Sequence, residues 1–422
     1  MKQLLSIAAL GLALAPALSR EAAAQAPCTT TIGVVLELTG SAGESGQKAS
    51  KAVELAVRDI DTAGGINGCT LTADIRDAQS QGDVATDVAR QLVEIKKVPV
   101  IIGGVTSSVS MPILTSVAAP GGVVQISPGA SSPAFTNLAE QGKTGGWWFR
   151  TVASDALQGI VAAKYALDLG LKRLSIIHVG NDLGTNVVHE FAKAYTALGG
   201  TILSQVPYSE NQPSYQPEVT KAMAEQPDAL YLVSTPGDGA TIARTWISQG
   251  GVQKFMLSDG MGSEDFIRTV GTQYLNDAYG TSAGTDRSPS TEYFARAFTS
   301  YAGLDWQTPA AGRAYDATVI AALAIAQAGS TTPGAIRDGI RAVLDKKGTV
   351  VYAGPDQLKQ ALLLIGQHQP IRYVGVIGAV QFDKNGDITG PFRLWRIQNG
   401  MVTATGEVSR PKMDGLIKQV SK

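Results

Sequence analysis

Apolar positions along this chain follow two alternating patterns. Runs of five to eight residues rich in Val, Ile and Leu recur as TIGVVLEL (31–38), VPVIIGG (98–104), GVVQIS (122–127), RLSIIHV (173–179), DALYLVS (228–234) and KFMLS (254–258), each followed by turn residues. Between them lie longer stretches with a period of about 3.6 residues. The first of these, 46–63, repeats Ala49, Ala52, Val53, Ala56, Val57 and Ile60 and stops at Gly64-Gly65. Similar stripes run through 83–96, 108–119, 155–169, 186–199, 238–249 and 311–328. Continuous apolar runs of this length predict parallel strands buried on both faces, with the striped segments as helical crossovers. The alternation is too long for one sheet and predicts two open α/β sheets in series. Sites on such sheets lie in the loops after the carboxyl ends of the strands.

The N-terminus sets the compartment. Lys2, the apolar stretch Leu4 to Leu18 and the small residues Ala22-Ala23-Ala24 read as an export signal over residues 1–24, cleaved before Gln25. Gln25-Ala26-Pro27 before Cys28 is a poor lipidation site, so a soluble, periplasmic protein is expected. With 35 basic and 36 acidic side chains the chain has no electrostatic footprint for nucleic acid or anionic lipid. Its length exceeds one ordinary core and calls for two lobes. Cys28 and Cys69 each precede a predicted strand, and adjacent parallel strands start on the same edge. In an oxidising compartment this predicts a Cys28–Cys69 disulfide. Two free thiols or a metal pair are the alternatives, and without a nearby histidine the metal site is poor.

Specific wording adds to the periodicity. LTGSAGESGQKASKAVELAVRDIDTAGGINGCTLTADIRDAQSQGDVA (38–85) resembles the opening of the branched-chain amino-acid-type periplasmic substrate-binding proteins of ABC transporters. The resemblance continues in order through VPVIIGGVTSSVSMPI, VVQISPGASSP, WFRTVASDALQG, AYDAT (314–318) and IRYVGVIGAVQFDKNGD (371–387). It implies a type I periplasmic-binding-protein fold, in which two doubly wound α/β lobes joined by three crossings close around a ligand. The crossings are expected near Val152 to Ser154, Thr281 to Asp286 and Val374 to Ala379. That divides the chain into a first lobe of 27–152 with 285–374 and a second of 153–284 with 375–422.

Candidate site residues follow the strands. After VPVIIGG, Ser107 and Ser108 stand at a predicted helix start, whose N–H groups and hydroxyls offer a positive end to a carboxylate; simple capping is the alternative. The resemblance implies that Ser107 binds the ligand carboxylate. It also implies that the Gly129 backbone and Ser131, in the loop after GVVQIS, share the ligand's amino and carboxylate groups, against an ordinary proline-bounded turn. Asp259 after KFMLS stands where relatives pair an acid with the ligand ammonium; capping the segment SEDFIRTV is its other use. By the same resemblance Ser45 takes a position that is Tyr in leucine-binding relatives, Leu183 one where many relatives place a Tyr, and Thr235 one where an aromatic is common. This leaves leucine and valine in doubt and opens the site to a larger amino acid or an aromatic carboxylate. Trp147-Trp148 offers either a replacement platform or packing at the lobe junction.

The remaining motifs carry no reaction. His178 ends a strand without a nucleophile elbow nearby, and GVTSSVS lacks a Walker lysine. FDKNGD (382–387) spaces its acids like a calcium loop but lacks the other ligands, and reads as a hairpin turn between two strands. Tyr315-Asp316 is expected in interlobe packing, and residues 345–370 have no assigned ligand role. No metal, cofactor or enzymatic activity is expected. The reading is a monomeric receptor for an amino acid or related small carboxylate that serves an inner-membrane ABC permease. A sensory binding module, a binder of aromatic carboxylates and an exported hydrolase are the alternatives.

Overall fold

The computed structural model describes residues 28–420 apart from 41, 285 and 308; the export signal expected at 1–24 lies outside them. The first sheet holds β1 (Thr29–Leu36), β2 (Thr70–Asp77), β3 (Val100–Gly103), β4 (Val124–Ser127) and β5 (Trp148–Arg150), all parallel, in the order β2-β1-β3-β4-β5. β3 and β4 are buried along their whole length, as their unbroken apolar runs require. Strand order reverses at β1, which opens a crevice at the carboxyl ends of β1, β3 and β4. Helix Gly43–Thr62 buries Ala49, Val53, Ala56 and Ile60 and packs on helix Pro309–Ala328. Cys28 and Cys69 form a disulfide just ahead of β1 and β2.

Much of the later chain returns to this lobe. The small parallel pair β11 (Thr349–Val351) and β12 (Ile371–Tyr373) joins it, and Leu358, Ala361 and Ile365 of helix Pro355–Gly366 enter its core. The second sheet contains β6 (Arg173–Val179), β7 (Thr201–Tyr208), β8 (Ala229–Val233), β9 (Lys254–Leu257), β10 (Asp277–Ala283), β13 (Phe392–Gln398) and β14 (Met401–Val408), in the order β14-β13-β10-β9-β8-β6-β7. It is parallel except for β13, which runs against both β10 and β14. Asn399-Gly400, both at positive φ, close that hairpin with the twist its strands demand.

The chain passes between lobes three times. Phe149 belongs to the first core and Ala153 to the second, and another passage follows β10. The third passage corrects the expectation of Val374 to Ala379. Val376, Ile377, Val380, Phe382 and Ile388 all pack in the first core, and only Phe392 enters the second, so the crossing lies at Ile388–Phe392. Hydrogen bonds pin the earlier segment down. Asp316 accepts from the N–H groups of Val376 (2.8 Å) and Ile377 (2.9 Å) and from the Tyr373 hydroxyl (2.8 Å), and the hydroxyls of Ser290 and Thr291 donate to the carbonyls of Val374 and Val376. The neighbouring Tyr315 donates to Asp59 Oδ2 at 2.8 Å. Both AYDAT side chains therefore brace the first lobe internally instead of packing between lobes. FDKNGD is likewise no hairpin between two strands: it is a turn closed by one bridge from Phe382 to Ile388, laid against β5 through Arg150 N–H to Gly386 O at 3.1 Å.

Candidate functional site

The lobes enclose a cleft of about 590 Å3. Gly129 and Ser131 reach it from the loop after β4, Val152 and Ala153 from the first crossing, and Asp155 and Gln158 from the helix Asp155–Asp168 behind it. Asp259 and Gly260 enter after β9, Arg313 from helix Pro309–Ala328, and Trp306 with Gln307 from the loop before that helix. Gly129, Ser131 and Asp259 are thus brought together on one cleft.

Its electrostatics centre on two acids and an arginine. Asp155 is buried and accepts from the Ser131 hydroxyl at 2.7 Å, while its own N–H donates to Ser131 O at 2.9 Å. Burial, followed by the charge of Asp259, pushes its carboxyl up to about 6, against the Ser131 hydrogen bond and the charges of Arg150 and Arg313. Asp259 is exposed and opens onto the cleft. Burial raises its carboxyl too, opposed by the Gly260 N–H at 2.9 Å and by Arg313. Burial depresses Arg313, and both acids oppose that. Asp259 does not cap the following helix: Ser263 caps Glu264–Val270 through Phe266 N–H, and Asp259 begins a separate short turn, Asp259–Met261.

The loop after β4 is held from behind. Arg150, fully buried, donates to Asp387 Oδ1 (2.7 Å), to the carbonyls of Ala130 (3.1 Å) and Ser132 (2.9 Å) and to Thr136 (2.9 Å). The FDKNGD turn thereby serves as the counter-anchor of this loop. Gly129 must be glycine, because a Cβ there would lie 2.2 Å from Val105 O.

Other candidates stand elsewhere. Ser107 Oγ accepts from Ser132 N–H at 3.2 Å, and Ser108, exposed, meets the Thr106 hydroxyl at 3.2 Å; neither lines the cleft. Just before the helix Ser107–Ile113, the N–H groups of Val105 (2.9 Å) and Thr106 (2.8 Å) and the Thr106 hydroxyl (2.6 Å) donate to the buried Glu37 carboxylate. The chain's own carboxylate therefore sits just ahead of the helix start that the sequence offered to a ligand. Half-buried Ser45 and exposed Thr235 do not line the cleft either, and the side chain of Leu183 lies outside what is described. His178 is buried, with Nδ1 3.0 Å from Val179 O, and burial lowers its pKa. Trp148 stacks on Phe135 at 4.1 Å and Trp147 lies under Arg337 at 4.7 Å, so neither is a platform; Trp306 is the tryptophan on the cleft. Among the described residues no group of His, Cys, Asp or Glu is arranged to hold a metal.

Asp155, Gln158, Arg313 and Trp306 were not singled out in the sequence. Ser154-Asp155 carries a helix-start signal inside WFRTVASDALQG, and that was the available clue to Asp155.

Residues 29–391 match the family described as periplasmic binding protein. The chain is 27% identical to the chemotactic signal transduction system substrate-binding protein BasB of Halobacterium salinarum, over 83% of this chain and 82% of BasB. It superposes on a leucine binding protein, LivK, of Thermotoga maritima with a TM-score of 0.71 and 22% identity, covering 90% of this chain and 99% of that one. A solute binding protein of an ABC transporter from Rhodopseudomonas palustris, in complex with 3,4-dihydroxybenzoic acid, gives a TM-score of 0.67 at 17% identity, covering 90% and 98%. These two likenesses are likenesses of fold.

Proposed function

Because the chain belongs to the periplasmic binding protein family, we propose that it is an exported receptor that captures an amino acid between its lobes and delivers it to an ABC importer. The observation that carries this reading is the meeting of Ser131, Asp155, Asp259 and Arg313 on one interlobe cleft. An ammonium fits between the two aspartates, where it relieves their mutual repulsion. The adjacent carboxylate is then served by Arg313 and the polar groups of the Gly129–Ser132 loop. Both contacts are charge-assisted and lose water as the lobes approach, so ligand binding favours closure. Binding without turnover is the reading, and it is supported by membership of a binding-protein family.

A second reading is favoured by Trp306 on the cleft wall and by the likeness to the protein holding 3,4-dihydroxybenzoic acid: an aromatic carboxylate stacked on that indole. The relation to a chemotaxis binding protein keeps a signalling partner as the alternative to a permease. A thermal-unfolding screen against amino acids and aromatic acids separates the ligand classes. A true ligand at 100 times its Kd adds about 2.7 kcal/mol of stability, and it is recovered chemically unchanged. Recovery of a converted product, or no stabilisation by any amino acid, overturns the proposal. Loss of uptake of that ligand in cells lacking the gene tests delivery.

A further inference from the structure

Asp155 on the helix after the first crossing, Asp259 after β9 and Arg313 on helix Pro309–Ala328 share the cleft. Arg287, beyond the second crossing, and Arg393, on β13, also line it, and β10 separates β13 from β9. The acid beside Arg287, Asp286, is taken by Arg410 at 2.6 Å. Glu407 stands across from Arg393 on β14 without an ion pair among the described residues. Apolar Val376, Ile377 and Phe392 are also on the lining.

The charge balance then selects a ligand class. Three arginines and two aspartates line the cleft, in a chain whose net charge is -1. A neutral zwitterion adds equal charges and leaves an arginine uncompensated. A monocarboxylate without an ammonium leaves the aspartate pair facing an anion. We infer that the ligand is an α-amino acid with a second acidic group several bonds from its ammonium, and that Arg287 and Arg393 hold that second group. This rests on the amino-acid reading above and narrows it.

Calorimetric titration of the full-length mature protein with L-glutamate, L-2-aminoadipate, L-glutamine, L-leucine and benzoate tests it. An acidic amino acid is expected to bind at least about tenfold more tightly than L-glutamine, because its distal contacts are charge-assisted. In the double variant Arg287→Ala, Arg393→Ala that preference falls to within about twofold, with the melting temperature of the unliganded protein unchanged, since both side chains are exposed. Equal or tighter binding of L-glutamine or L-leucine, or a preference that survives the double variant, overturns the inference and leaves the amino-acid reading standing. Binding of benzoate alone, or of none of these compounds, overturns both.

Discussion

Asp155 ties the site to pH. Its carboxyl titrates near 6 in the folded protein, against an ordinary 3.8. Because the folded value is raised, the stability this group contributes is fully present below the ordinary value and is lost as pH rises through about 6. Asp155, together with Asp316, whose carboxyl burial pushes up to about 7, is therefore expected to lower the stability of the unliganded protein between about pH 4 and 7, and Asp155→Asn to reduce that slope, as read from melting temperatures. An ammonium ligand stabilises the ionised acid and expels its proton. Lowering the pH from about 7.5 to 5 should weaken amino-acid binding, with proton release visible in buffers of different ionisation enthalpy. A carboxylate without an ammonium should show the opposite trend. Asp259→Ala should cost an amino-acid ligand at least about 2 kcal/mol, roughly thirtyfold in Kd, because it removes one partner of an enclosed charge pair. An unchanged Kd by titration would remove Asp259 from the ammonium site.

At the scale of elements, the loop after β4 is shaped less by its own prolines than by Arg150 and Asp387, which approach it from β5 and from the turn ahead of the third crossing. Asp387→Ala leaves the Arg150 guanidinium buried without its carboxylate and should cost about 3 to 5 kcal/mol in denaturant unfolding. Faster amide exchange in the 127–133 loop than in the second lobe would accompany it. The strands were legible because parallel strands buried on both faces have a compositional signature, and Gly129, Ser131 and Asp259 were reachable because they directly follow such runs. Asp155, Arg313 and Trp306 were not, since they join the cleft through tertiary folding, from two helices whose stripes mark only their buried apolar faces and from an aperiodic loop. Trp306 stands in the aperiodic LDWQTP segment. The third crossing was misplaced for a similar reason: the run VGVIGAV looks like a strand passing between lobes, and the buried Asp316 carboxylate and the Ser290 and Thr291 hydroxyls, all remote in sequence, hold it to the first lobe. Ahead of the helix start at Ser107, the N–H groups of Val105 and Thr106 are taken by Glu37, which follows β1 nearly seventy residues earlier and could not be paired with them from the sequence.

For the whole molecule, the Cys28–Cys69 bond closes a separation of 41 residues at the base of β1 and β2. Replacing both cysteines by serine should lower unfolding stability by about 2 to 4 kcal/mol, measured in denaturant, with ligand affinity unaffected because the bond lies at the strand ends opposite the cleft. Two rigid sheets joined at three short passages form a body whose easiest large motion is a hinge, and the acid pair and arginines wait on its inner faces. Small-angle X-ray scattering of the free protein and of the protein saturated with an amino acid that binds it tests this account most directly. The account predicts a smaller radius of gyration in the bound state, as the lobes close on the ligand. Saturated binding with a scattering curve identical to that of the free protein would contradict capture between the lobes.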